Sequence, residues 1–155
     1  MRYTFFWSGP FSQWFHSPFE IDGQSFVTAE QYMMYQKAIT FNDTNIARMI
    51  LETEDPRQQK KLGRAVSPYD DNKWFSVADQ IVYCGNKAKF TQIANLRAAL
   101  LATEGTTLVE ASPYDRRWGI GLAADDPRAQ DQSQWRGENR LGYILTRLRV
   151  ELQGE

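Results

Sequence analysis

The sequence predicts a mainly α-helical α+β domain with one small β element, and three observations predict it. Apolar residues recur at spacings of three and four through several segments that open on capping residues. Asp22-Gly23 separates two short strand-like runs. The remaining irregular sequence gathers in one stretch, residues 113–137, rich in Pro, Gly, Asp and Gln. At 155 residues the chain is the size of one ordinary domain. Its 42% hydrophobic content, with aromatics alone at 14%, is ample for a packed interior.

The elements follow in order. Phe5-Phe6-Trp7 is a short aromatic strand broken by Ser8-Gly9-Pro10. Phe19-Glu20-Ile21 and Gln24-Ser25-Phe26-Val27 flank Asp22-Gly23, a pair that tolerates the positive φ of a type I′ turn, so a β-hairpin is expected. Thr28 caps a helix running to about Ala38, with Gln31 placed as in a capping box. A second helix starts at Asn42 or Asp43 and runs through Leu51. Asp55-Pro56 opens a third, basic one carrying Arg57, Lys60 and Lys61, which Ser67-Pro68 ends. Asp70 to Gln92 forms a longer helix, and Asn95 is expected to cap a short one through Leu101. Thr107 to Ala111 is β-like. A last helix carries Leu141, Ile144, Leu145, Leu148 and Leu152. No repeat or linker divides the chain, so one domain over residues 1–155 is expected.

Charge and ligand chemistry narrow the function. Eighteen Lys and Arg against nineteen Asp and Glu give a net charge of -1, with no global attraction for nucleic acid or an anionic membrane. No stretch approaches the roughly 18 apolar residues of a membrane span, and no leader pattern opens the chain, so a cytoplasmic protein is expected. Cys84 and His16 are the single cysteine and histidine, which leaves no cluster of soft metal ligands; neither metal nor cofactor is expected. The balance favours a small ligand.

Four constellations have residues suited to chemistry. Glu30 and Lys37 share a helix face about two turns apart, roughly 10 Å along the axis, and could flank a ligand; the plainer alternative is a solvated pair on an amphipathic helix. Trp74, with Lys87 and Lys89, could stack on a base and meet phosphate, or be a core tryptophan and a cationic helix end. Glu110 ends a strand-like run and precedes Asp115, Trp118, Gly119 and Gly121, a pattern suited to a pocket rim or to a simple glycine turn. Asn139 opens the last helix, whose exposed N–H groups would favour phosphate, or simply caps it.

Taken in order, these pieces resemble the YbiA-like family, also called NADAR domains. The resemblance runs from about Phe5 to the last helix. It is carried by Phe11–Phe15, Ser17-Pro18-Phe19, Ile21-Asp22-Gly23, Glu30, Tyr32, Gln36-Lys37-Ala38, Gly63-Arg64, Trp74 and Ala88-Lys89-Phe90. Leu100–Thr103, Leu108-Val109-Glu110, Asp115-x-x-Trp118-Gly119-x-Gly121 and Gly137-x-Asn139-x-Leu141-Gly142 complete it. Gln31 stands where members commonly carry histidine, and Gln13 where asparagine is usual.

The resemblance implies a YbiA-like helical fold with an N-terminal hairpin and an N-glycosidase. Members cleave a ribosyl-nitrogen bond, either in ribosylamino intermediates of riboflavin synthesis or between ADP-ribose and guanine in nucleic acid. The expected partner is a small phosphorylated ribosyl compound, with ADP-ribosylated nucleic acid as the alternative; the oligomeric state is left open. Glu30, Glu110 and Asp115 are candidate carboxylates, and Lys37 a candidate nucleophile or electrostatic group. Trp74 and Trp118 are expected to hold the base with Gly119 allowing close approach, and Arg64, Lys89 and Asn139 to hold phosphate and ribose. A non-catalytic nucleotide-binding module is the rival from another class.

Overall fold

A computed structural model describes residues 2–155. It contains β1 (Tyr3–Phe6), β2 (Phe19–Ile21), β3 (Gln24–Phe26), α1 (Ala29–Thr40), α2 (Thr44–Leu51) and α3 (Pro56–Arg64). α4 (Asp71–Gln92), α5 (Ala94–Leu101), β4 (Thr107–Glu110) and α6 (Arg140–Gln153) follow. Six helices with little strand make this the α+β class expected. No helix among the described residues is long and apolar enough to cross a membrane. Backbone contacts group the chain into two units, residues 13–93 and residues 2–12 with 94–155.

In the unit of residues 13–93, β2 and β3 form the hairpin. Asp22 and Gly23 both have positive φ, 51° and 81°, the combination a type I′ turn requires. The strand stops at Phe26 rather than Val27, because Val27 donates its N–H to the Gln31 side chain instead. Three more helices open on capping aspartates: Asp43, Asp55 and Asp70 accept from Ile46, Arg57 and Lys73 N–H, so Asp70 caps the helix it was expected to begin. α1 packs on α2, α3 and α4. Phe19, Phe26, Tyr32 and Ala88 form one core cluster, with Phe26 and Tyr32 meeting edge to face at 5.1 Å. Gln92 ties α4 to β2 by imitating a strand partner: it accepts from Glu20 N–H and donates to Glu20 carbonyl.

In the other unit β1 and β4 pair in parallel, Tyr3 opposite Thr107 and Phe6 opposite Glu110. Trp7 lies beyond the strand and is exposed. α5 begins at Ala94, so Asn95 sits inside the helix rather than capping it. α6 covers β4, and Thr146 Oγ1 accepts from Leu108 N–H at 2.9 Å. Val109, Ile120, Leu122 and Ala129 form the core beneath the long loop, which carries two short 3-10 turns of its own.

Candidate functional site

The start of α1 is held unusually firmly. Thr28 Oγ1 accepts from Gln31 N–H and donates to the buried Gln59 Oε1 at 2.6 Å. The Gln31 amide is fully engaged, accepting from Val27 N–H and donating to Ile50 and Thr53 carbonyls. Gln31 is therefore a structural amide, 3% exposed. Glu30 N–H donates to the Gln13 carbonyl, and Gln13 and Asn86 exchange two amide hydrogen bonds. Glu30 is thus presented from a fixed helical turn, 7% exposed.

Two turns further on, Lys37 is half-buried, its Nζ 4.6 Å from the Tyr69 ring centroid and 5.9 Å from that of Trp74. Burial holds its pKa below the usual lysine value; the charges of Glu30 and Asp71 push back upward, and Arg64 pushes down. Four of the expected residues, Glu30, Lys37, Arg64 and Trp74, therefore act on one neighbourhood. Trp74 is 3% exposed, so it backs the lysine and offers little face to a base. Tyr69 and Asp71 join this neighbourhood without having been expected, Tyr69 Oη donating to Asp71 Oδ1 at 2.7 Å. Their sequence signal was an aromatic between Pro68 and the helix-capping Asp70.

Lys89 is set apart from solvent altogether. Its side chain is 0% exposed, with Nζ 4.9 Å from the Phe90 centroid and 5.9 Å from Phe15. Burial lowers its pKa to about 7. Such enclosure does not suit direct contact with a phosphate.

In the other unit, Glu110 stands at the end of β4, half-buried. Asn139 fixes this end: its Oδ1 accepts from Glu110 N–H at 3.0 Å and its Nδ2 donates to Leu108 carbonyl at 3.1 Å. Asn139 stands at the N-cap position just before α6 with φ 51°, yet its side chain makes no helix cap and is 0% exposed. Gly142 lacks a Cβ because Leu108 carbonyl and the Asn139 amide fill that space.

The turn of residues 115–121 wraps over Glu110. Asp115 Oδ1 accepts from Arg117 and Trp118 N–H, both at 2.9 Å, so this carboxylate holds the turn. A Cβ on Gly119 would lie 2.8 Å from Glu110 carbonyl and 3.2 Å from its Oε2, which explains the glycine. Trp118 is half-buried in this turn. A backbone seam joins the turn to the start of α6: Asn139, Arg140 and Leu141 N–H donate to Gly119, Arg117 and Trp118 carbonyls. The helix-start N–H groups expected to receive phosphate are consequently occupied.

The NADAR domain model matches residues 5–153. N-glycosidase R617 of Acanthamoeba polyphaga mimivirus is 40% identical over 92% of this chain and 87% of that protein. N-glycosidase YbiA of Escherichia coli is 35% identical over 93% of this chain and 81% of that one. Protein irg-1 of Caenorhabditis elegans is 41% identical over 82% of this chain, which spans 61% of the worm protein. The NMR structure of Escherichia coli YbiA superposes with a TM-score of 0.80, covering 98% of this chain and 85% of the other at 35% identity.

Proposed function

Because the chain belongs to the NADAR domain family, we propose that it hydrolyses the C1′–N bond of a phosphorylated ribosylamino pyrimidine of the kind made in riboflavin synthesis. The reaction class, hydrolysis of N-glycosyl compounds, rests on the relatives named N-glycosidases. The substrate rests on the family resemblance and on a Vibrio vulnificus relative named a riboflavin biosynthesis protein, of which this chain spans 32%.

The observation that carries the reading is the Lys37 amine, drawn partly out of water onto two aromatic rings and flanked by carboxylates. Bond cleavage builds positive charge on the sugar and negative charge on the departing amine. In the covalent form of the reaction, the neutral Lys37 Nζ bonds to C1′ as the bond to the pyrimidine amine breaks. The amine leaves with the bonding electron pair and gains a proton. Loss of the Nζ proton with opening of the sugar gives a Schiff base, and water then releases the free ribose phosphate and the lysine. In the electrostatic form, Lys37 holds the leaving group or phosphate while a carboxylate activates water. Glu30 is the carboxylate assigned beside Lys37; positioned proton transfer contributes about 10²–10⁴ in rate. Glu110 is the second candidate, and Asp115, already committed to its turn, is the weaker third. Trp118 and Gly119 are assigned to the base, and Arg64 to the ribose.

A second reading has its own support. Arg57, Lys60, Lys61 and Arg64 stand exposed on α3, a basic face suited to a nucleic acid carrying ADP-ribosylated guanine. Release from an ADP-ribosylated oligonucleotide, compared with turnover of a ribosylamino pyrimidine phosphate, separates the two; binding without product from either supports a mere binding module.

Lys37→Ala and Glu30→Gln should each cut turnover at least about a hundredfold. Normal turnover in both folded variants overturns the assignment. Borohydride added during turnover should leave a mass adduct on Lys37 in the covalent form; none leaves the electrostatic form.

A further inference from the structure

Two arginines of the long loop stand side by side without acidic partners. Gly121 has φ 71°, and the space a Cβ would take there is closed by Arg136 Cβ at 3.1 Å and Arg116 Cγ at 3.2 Å. The stems of both side chains therefore pass the same point. Their backbones are locked in this relation: Arg136 N–H donates to Ile120 carbonyl at 2.8 Å, and Glu138 N–H to Arg116 carbonyl at 2.9 Å. The space for a Gly137 Cβ is filled by Arg116 Cα and carbonyl oxygen, so only glycine lets the two segments touch.

Both arginines are exposed, and among the described residues neither takes part in an ion pair. The carboxylates nearby are committed elsewhere. Glu138 pairs with Arg117 and Arg140 at 3.8 and 3.2 Å. Asp126 feels the charge of Arg136, yet it is gripped by Arg128 through Nε at 3.1 Å and Nη2 at 2.7 Å. Two guanidinium groups without ion-pair partners, on stems that pass one point, can both turn to a single anion. Planar forks of this kind suit a tetrahedral oxyanion.

We propose that Arg116 and Arg136 form a phosphate subsite across Gly121, taking the phosphate of a sugar phosphate. The choice of a sugar phosphate rests on the proposed ribosyl phosphate substrate; the anion chemistry does not. The same chemistry is offered by a nucleic-acid backbone, so the test carries an arm for each source.

The experiment titrates the full chain with ribose 5-phosphate, with ribose, and with a short single-stranded oligonucleotide, following the arginine Nε–H signals by NMR. The Arg116 and Arg136 signals should move with ribose 5-phosphate and stay with ribose. Arg116→Gln and Arg136→Gln should each weaken that binding about tenfold, and the double variant should bind the phosphorylated and plain sugars alike. Movement with the oligonucleotide alone assigns the subsite to a nucleic-acid phosphate instead. Unmoved signals with both phosphate ligands overturn the proposal. Because binding is read without turnover, an inactive protein that still binds ribose 5-phosphate here fails the proposed reaction and keeps the subsite.

Discussion

Lys37 illustrates how one side chain acquires chemistry from its surroundings. Its amine is withdrawn from water over Tyr69 and Trp74, which disfavours the charged form, while Glu30 and Asp71 favour it. The sign of each neighbour's effect is testable. Glu30→Gln removes an upward push, so the pH midpoint for acetylation of Lys37, followed by mass spectrometry, should fall. Arg64→Gln removes a downward push, and the midpoint should rise. Identical midpoints in both variants and the parent would remove Lys37 from this electrostatic neighbourhood. The pair Glu30 and Lys37 was legible in the sequence because helical spacing alone puts them on one face. Tyr69 and Asp71 were not, since no periodicity links a loop and the first turn of α4 to α1.

At the scale of the element, one amide clamps the end of β4. Asn139 satisfies Glu110 N–H and Leu108 carbonyl together, and Gly142 leaves room for it. Asn139→Ala strands one donor and one acceptor at the strand end, each costing about 1–3 kcal/mol. The variant should therefore lose roughly 2–5 kcal/mol by urea unfolding; a loss within experimental error would show that the clamp does not hold the strand. Asn139→Asp keeps the acceptor and should fall between. The sequence pointed to Asn139 as notable but suggested a cap or a phosphate contact. Its side chain turned instead to a strand 29 and 31 residues away, a partnership that no local rule encodes. The cap at Thr28 and the helix starts at Asp43 and Asp55 were readable because each is settled within four residues.

At the scale of the whole molecule, stability should carry the signature of Lys89. Its pKa is about 7 when folded against an ordinary 10.5. Between those values the unfolded chain holds a proton that the folded chain does not, so stability rises with pH; below about 7 both states are protonated and the burial cost is fully felt. Urea unfolding should show the parent gaining on Lys89→Met by roughly 1 kcal/mol per pH unit from pH 7 to 10. A constant difference would mean that the lysine stays charged. By itself the sequence determined the helix-rich class, the hairpin with its Asp22-Gly23 turn, most helix starts and the ordered motifs of the family, because all of these are written in local spacing and turn chemistry. Only the tertiary structure decided that Lys89 and Asn139 are enclosed, that Asp115 is committed to its turn, and that β1 pairs in parallel with β4 a hundred residues on. Burial and long-range pairing are set by which surfaces exclude water together, and that competition is resolved only when the chain is folded.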